Sequence, residues 1–275
     1  MTVDNECHDK AMPMENGCYD KHGKFHFVLV HGAGHGAWCW YKIVHLLQNS
    51  GHKVTVLDLR GAGINTANPD SITSFEDYDA PLMDFLSQLS NSEKVVLVGH
   101  SAGGLSLSHA IHVFGYKIAV AVYVAATMLP NGFCSEQDFQ LGAPDLQKVT
   151  EFYYGNGPEH PPTSSKIIPE FQREILYQLS PPEDASLASL LIRPAPLLAF
   201  QTAQFCEQSE EFMKKVPRVY VKTLQDRVLL LEKQEAMIKH WSPDNVLSMD
   251  SDHSPFFSLP LELHTHLLQI AHLFT

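Results

Sequence analysis

The sequence predicts an α/β protein: a mostly parallel, doubly wound sheet with a helical cap inserted after its fourth strand. Three observations carry this. Short apolar runs alternate with amphipathic stretches through the first half of the chain. Several of those runs are apolar without a break, as strands buried on both faces must be. The alternation then stops over residues 128–196, where prolines and polar turns crowd in, and resumes afterwards. The chain of 275 residues is long enough for one large domain of this kind.

Each element has its own signal. Residues 25–30, 54–57, 95–98 and 119–126 read as the first four strands, and 219–223 and 246–249 as the last two. Between them, residues 38–47 carry Trp40, Ile43, Val44 and Leu47 at helical spacing. Thr73-Ser74-Phe75-Glu76 reads as a capping box opening a helix with Leu82, Phe85, Leu86 and Leu89 on one face. Residues 102–113, 231–239 and 260–274 complete the core helices. In the cap, helices are expected at 169–179 and 185–192, with no strand between them. The domain plan is a disordered polar tail at 1–24, core at 25–127, helical cap at 128–196 and core again at 197–275.

Composition limits the partners. The net charge is −12, which argues against nucleic acid or an anionic membrane as the main partner. No apolar stretch is long enough to span a bilayer. Cys7, Cys18, Cys39, Cys134 and Cys206 are scattered, odd in number and without a C-x-x-C pair, which is the usage of reduced thiols. The first 24 residues lack the apolar core of a signal peptide and carry acids, so a cytoplasmic location is expected.

Two motifs compete for the chemistry. In "FVLVHGAGHGAW", residues 27–38, a strand runs into glycines that fit G-x-G-x-x-A, with Asp58 about 20 residues on where a ribose-binding carboxylate belongs. In "GHSAGG", Gly99-His100-Ser101-Ala102-Gly103 fits G-x-S-x-G and joins a buried strand directly to a helix, the setting a nucleophile elbow requires. A serine needs a base, and the base an orienting acid. His253 follows the last strand, and Asp226 follows the strand before it, in the chain order serine, acid, histidine. Asp250 and Asp252 lie too near His253 in sequence for that role and read as loop-capping, solvated acids.

With an elbow at Ser101, the glycine turn acquires a different charge to hold. A tetrahedral oxyanion needs two backbone donors. One is the N–H of Ala102, after the nucleophile; the other is assigned to Ala33, in the loop after the first strand. Gly32 leaves room for substrate, and Asp58 becomes an ordinary strand-end acid. No metal or other cofactor is expected: His31 and His35 lack the glutamate of a zinc helix, and His109 and His112 share a face without a third ligand.

The stretches "HFVLVHGAGHGAWCWYKI", "VGHSAGGLSL", "LIRPAPL", "PRVYVKTLQDRV" and "DSDHSPFF" together resemble the plant methylesterase and hydroxynitrile lyase family of α/β-hydrolases, nearest its methyl indole-3-acetate esterase-like branch. The resemblance runs from about residue 25 to the C-terminus. It implies an α/β-hydrolase fold, cleavage of small methyl esters at a site under the cap, no cofactor, and a possible homodimer. The lyase branch carries threonine where this chain has Gly32 and lysine where it has Ser254, so the esterase is preferred over a lyase. A hydrolase-fold ligand receptor with little turnover is the other alternative. The cap aromatics Phe133, Phe139, Phe152, Tyr153, Tyr154 and Phe171 are expected mostly to pack the cap, some lining an apolar pocket.

Overall fold

The structure is a computed structural model and describes residues 23–205, 213 and 215–275. The tail expected at 1–24 lies outside the described residues except for Gly23 and Lys24, as do Cys7, Cys18 and Cys206. In chain order the core begins with β1 (His26–Val30), α1 (Tyr41–Asn49), β2 (Lys53–Leu57), α2 (Phe75–Gln88), β3 (Val95–His100), α3 (Gly103–Phe114) and β4 (Ile118–Val124). The cap and its exit hold α4 (Glu136–Gly142), β5 (Thr150–Tyr153), β6 (Ser164–Ile167), α5 (Pro169–Leu176), α6 (Pro182–Leu191), β7 (Ala195–Pro196) and α7 (Leu197–Gln201). The core closes with β8 (Arg218–Thr223), α8 (Leu231–His240), β9 (Asn245–Met249), α9 (Pro255–Ser258) and α10 (Pro260–Phe274).

Strands β2-β1-β3-β4-β8-β9 form a six-stranded sheet whose every pairing is parallel. Parallel neighbours cannot be joined by a tight turn, so a helix or the whole cap carries each connection. Successive strand residues point to opposite faces, and in β1, β3 and β4 both faces are buried. Phe27 and Leu29 of β1 pack with Ile43 and Leu47 of α1 and with Leu263 and Leu267 of α10. Val28 and Val30 pack with Leu82 and Leu86 of α2 and with Leu107 and Ile111 of α3. The unbroken apolar runs therefore feed two cores at once. The chain leaves β1 for the sheet edge at β2 and returns to β3 on the other side. The helices of these two connections cover opposite faces, which opens a crevice at the C-terminal ends of β1 and β3.

Two expectations are corrected. The N-cap of α2 is Ser74 rather than Thr73, and its hydroxyl accepts from the Asp77 N–H at 3.2 Å. That start puts Phe75, Tyr78, Leu82 and Leu86 on the buried stripe. The cap is not purely helical: β5, β6 and β7 make a three-stranded antiparallel sheet. These strands have four, four and two residues. Runs that short, one of them opening on two serines and another ending in proline, show no periodicity to read. No helix among the described residues is long and apolar enough to cross a membrane.

Candidate active site

Ser101 stands at the end of β3 with φ 54, one of two non-glycine residues with positive φ among the described residues. The strain follows from the turn. The chain must reverse from strand to helix within three residues, and glycines flank the serine because nothing larger fits. A Cβ on Gly99 would meet Leu107 Cδ1 at 2.5 Å, and one on Gly103 would meet the His31 carbonyl at 2.7 Å. The elbow is held on β4: Ser101 N–H donates to the Val124 carbonyl, and the Ser101 carbonyl accepts from Thr127 N–H. Ser101 thus sits immediately before the N-terminus of α3, where developing negative charge is favoured.

Asp226 lies in the turn after β8 and His253 in the loop after β9; both side chains are buried. His253 Nδ1 is 2.8 Å from Asp226 Oδ2. A carboxylate accepts, so Nδ1 carries the proton and Nε2 is left as the acceptor. The Thr223 hydroxyl also donates to Oδ2, and the N–H groups of Val228 and Leu229 donate to Oδ1 at 2.8 and 2.9 Å. Every lobe of the carboxylate is therefore oriented. The base loop is tied to the elbow as well: His100 Nε2 lies 2.7 Å from the His253 carbonyl. Burial, and then the neighbouring His253, pushes His100 well below the ordinary histidine range. His100 is thereby neutral, with Nε2–H donating.

The glycine turn after β1 closes with His35 N–H on the Gly32 carbonyl at 3.2 Å, and Gly34 occupies the left-handed region with φ 73. That pattern is a type II turn, whose third residue needs positive φ. Its second residue, Ala33, has an N–H that donates to no acceptor among the described residues, and the same holds for Ala102. A Cβ on Gly32 would stand 2.7 Å from Ser101 Cβ, so turn and elbow are in contact.

A cavity of about 510 Å³ opens between the core and the cap, and Ser101, His253, Ala33 and Ala102 all line it. Of the cap aromatics, Phe133, Phe139 and Phe152 form part of its wall, Phe133 and Phe139 stacked at 4.4 Å. Tyr153, Tyr154 and Phe171 do not line it. Phe200, beyond the cap, does, as do Thr150, Ser165 and Ile167 on one face of the cap sheet. Neither Phe200 nor that sheet face was predicted, because nothing local distinguishes a wall residue from a packing residue.

The remaining candidates take structural places. Asp58 accepts from the N–H groups of Ala37 and Ile64, so it anchors loops rather than reaching toward a ribose. His109 pairs with Asp79 at 3.0 Å, and His112 Nε2 reaches the Pro130 carbonyl. Asp250 binds the Gln225 amide. Asp252 departs from the expectation of a solvated acid: it is fully buried and accepts from Leu179 N–H, the Ser180 hydroxyl and Ser254 N–H. Its partners come mostly from the cap, about 70 residues away, which no reading of its own loop could supply.

Known proteins resemble the chain in sequence and in fold. The sequence matches the alpha/beta hydrolase family over residues 27–264. It is 50% identical over 251 residues to methylesterase 17 of Arabidopsis thaliana, covering 90% of this chain and 91% of that one. Pheophorbidase of Raphanus sativus is 43% identical over 245 residues, 89% and 93% of the two chains. The crystal structure of the methylesterase MES16 from Arabidopsis superposes with a TM-score of 0.83 at 41% identity, over 90% of this chain and 99% of that one. With its elbow serine, its buried acid–histidine pair and this likeness over nearly its whole described length, the chain belongs to the alpha/beta hydrolase family and, within it, to the methylesterases, which are carboxylic ester hydrolases.

Proposed function

We propose that the chain hydrolyses the methyl ester of a small aromatic, indole or alkaloid carboxylic acid through an acyl-enzyme on Ser101. His253 Nε2 takes the proton of Ser101 as the oxygen attacks the ester carbonyl. Asp226 holds the histidine tautomer and stabilises the imidazolium. The N–H groups of Ala33 and Ala102 receive the oxyanion, each worth about 3 kcal/mol of barrier. Methanol leaves with the proton from His253, and water, activated by the same nitrogen, releases the acid.

The observation that carries this reading is one shared wall: nucleophile, base and both free N–H donors line a single cavity of about 510 Å³. That volume, with Phe133, Phe139, Phe152 and Phe200 in the wall, supports an aromatic acyl group of modest size. Gly32 and Ser254 support an esterase over a lyase, because the threonine and the lysine that the lyase branch carries at these places are absent. The reading takes the chain as cytoplasmic, on its reduced-thiol usage, and as a homodimer, on its family resemblance.

Methanol release tests it, measured with methyl indole-3-acetate, methyl jasmonate, methyl salicylate and alkaloid methyl esters. Multiple turnover is expected with at least one of them. In Ser101→Ala it should drop by about 10,000-fold or more while the circular dichroism spectrum is kept. Turnover undiminished in that variant rejects the mechanism, and binding without turnover by the wild type points to a receptor.

A further inference from the structure

Helix α5 stops at Leu176, and the four residues after it touch three different loops of the core. The buried Tyr177 hydroxyl lies 2.8 Å from His35 Nε2. His35 Nδ1 lies 3.2 Å from the Ala33 carbonyl. A carbonyl only accepts, so Nδ1 carries the proton, and the phenol donates to Nε2. Burial pushes His35 down to about 3 and Tyr177 up, so both stay neutral. Next, Gln178 Nε2 donates to the Gln225 carbonyl, one residue before Asp226. Then Leu179 N–H and the Ser180 hydroxyl donate to Asp252 Oδ2 at 2.9 and 2.8 Å, one residue before His253.

We propose that residues 177–180 are a positioning keystone for ester hydrolysis: Tyr177, acting through His35, sets the oxyanion turn, and Ser180, acting through Asp252, sets the base loop. One stretch of the cap thereby holds donors and base in register with each other. The inference rests on the function proposed above. Neither Tyr177 nor Ser180 lines the cavity, so both act at a distance from substrate. Leu176, immediately before them, does line it, which joins the wall of the acyl site to the three loops.

The chemistry of the relay says what its loss does. The far side of the oxyanion turn is fixed by Arg193 N–H on the Gly34 carbonyl at 2.9 Å. The near side is held by His35 N–H on the Gly32 carbonyl, which His31 Nδ1 also meets at 2.8 Å, and by the Nδ1–H of His35 on the Ala33 carbonyl at 3.2 Å. Without the phenol hydroxyl, His35 Nε2 is a buried acceptor with no donor, and the contact that fixes the imidazole from the cap side is gone. The ring can then tilt, and the Nδ1–H that meets the Ala33 carbonyl moves with it. A shift of about 1 Å in such a group costs about 100-fold in rate.

The test uses Tyr177→Phe, Ser180→Ala and their double variant in the full chain. Three quantities are measured where all are folded: the rate at which a fluorophosphonate probe labels Ser101, kcat and KM on the best methyl ester, and Tm. Each single variant is expected to slow labelling and kcat by about tenfold or more with KM within about twofold. The double variant should lose less than the product of the two, because both act through one stretch. Ser180→Thr, which keeps the hydroxyl, should restore the rate. A purely structural role lowers Tm and leaves labelling and kcat of the folded protein within about twofold in both singles, which overturns the keystone. A wild type that is labelled but releases no methanol rejects the proposed function alone, and the labelling rates still decide this inference. A wild type that is not labelled overturns both.

Discussion

Gly32 shows how much one missing side chain decides. Its Cβ would lie 2.7 Å from Ser101 Cβ, 3.1 Å from His100 Nδ1 and 3.2 Å from the His100 carbonyl. None of these is the free end of a flexible side chain, so turn or elbow must move. Gly32→Thr is expected to lower kcat/KM by about 100-fold or more, and Gly32→Ala by less, in steady-state kinetics on a methyl ester. Activity kept in the threonine variant would show that the turn does not face the reacting carbonyl. That Ser101 and His253 line one cavity, with Asp226 against His253, was legible in the sequence, because each follows a strand of one parallel sheet and so reaches the same edge. The contacts of Tyr177 and Asp252 were not. Tyr177 and His35 are 142 residues apart, and a lone polar contact leaves no period behind it.

At the scale of the element, the sequence reads best where burial repeats. β1, β3 and β4 are buried throughout because helices cover both faces, and the apolar runs within them stand out for that reason. β5 and β6 are invisible by the same logic, since four residues with one face on a cavity and the other mostly polar carry neither a run nor an alternation. The start of α2 lies between these cases. Two hydroxyl residues adjoin there, and only the buried stripe chooses between them. Ser74→Ala removes the hydroxyl that accepts from Asp77 N–H and is expected to cost about 1 kcal/mol in urea unfolding. Thr73→Ala should cost less than half of that. Equal losses, or the reverse order, would place the cap at Thr73 instead.

The whole molecule buries its polar groups beneath the site, and that burial sets its response to acid. His31, His35 and His100 are all buried around the turn and the elbow. Burial pushes each below the ordinary value of 6.5, His35 to about 3 and His100 well below. Their folded values are lowered, so the unfolded chain binds more protons whenever the pH is below 6.5. Stability is then fully present above 6.5 and is lost as the pH falls toward the folded values. A histidine held far below its ordinary value withdraws about 1.4 kcal/mol per pH unit well below 6.5, which makes about 2–3 kcal/mol for His35 and His100 between pH 7 and 5.5, and His31 adds to it. His26, His52, His112 and His264 are shifted the same way and steepen the loss. Asp79 opposes it: burial raises its carboxyl, so its cost to the fold is relieved as acid protonates it. Total stabilities of domains are about 5–15 kcal/mol, so a loss of about 2–3 kcal/mol is a large share. Urea unfolding at pH 7.0 and 5.5 measures it, with the midpoint expected to fall clearly at the lower pH. A difference under about 1 kcal/mol would mean that these histidines take up protons in the folded protein, and that the neutral, buried frame beneath Ser101 is not what holds the site.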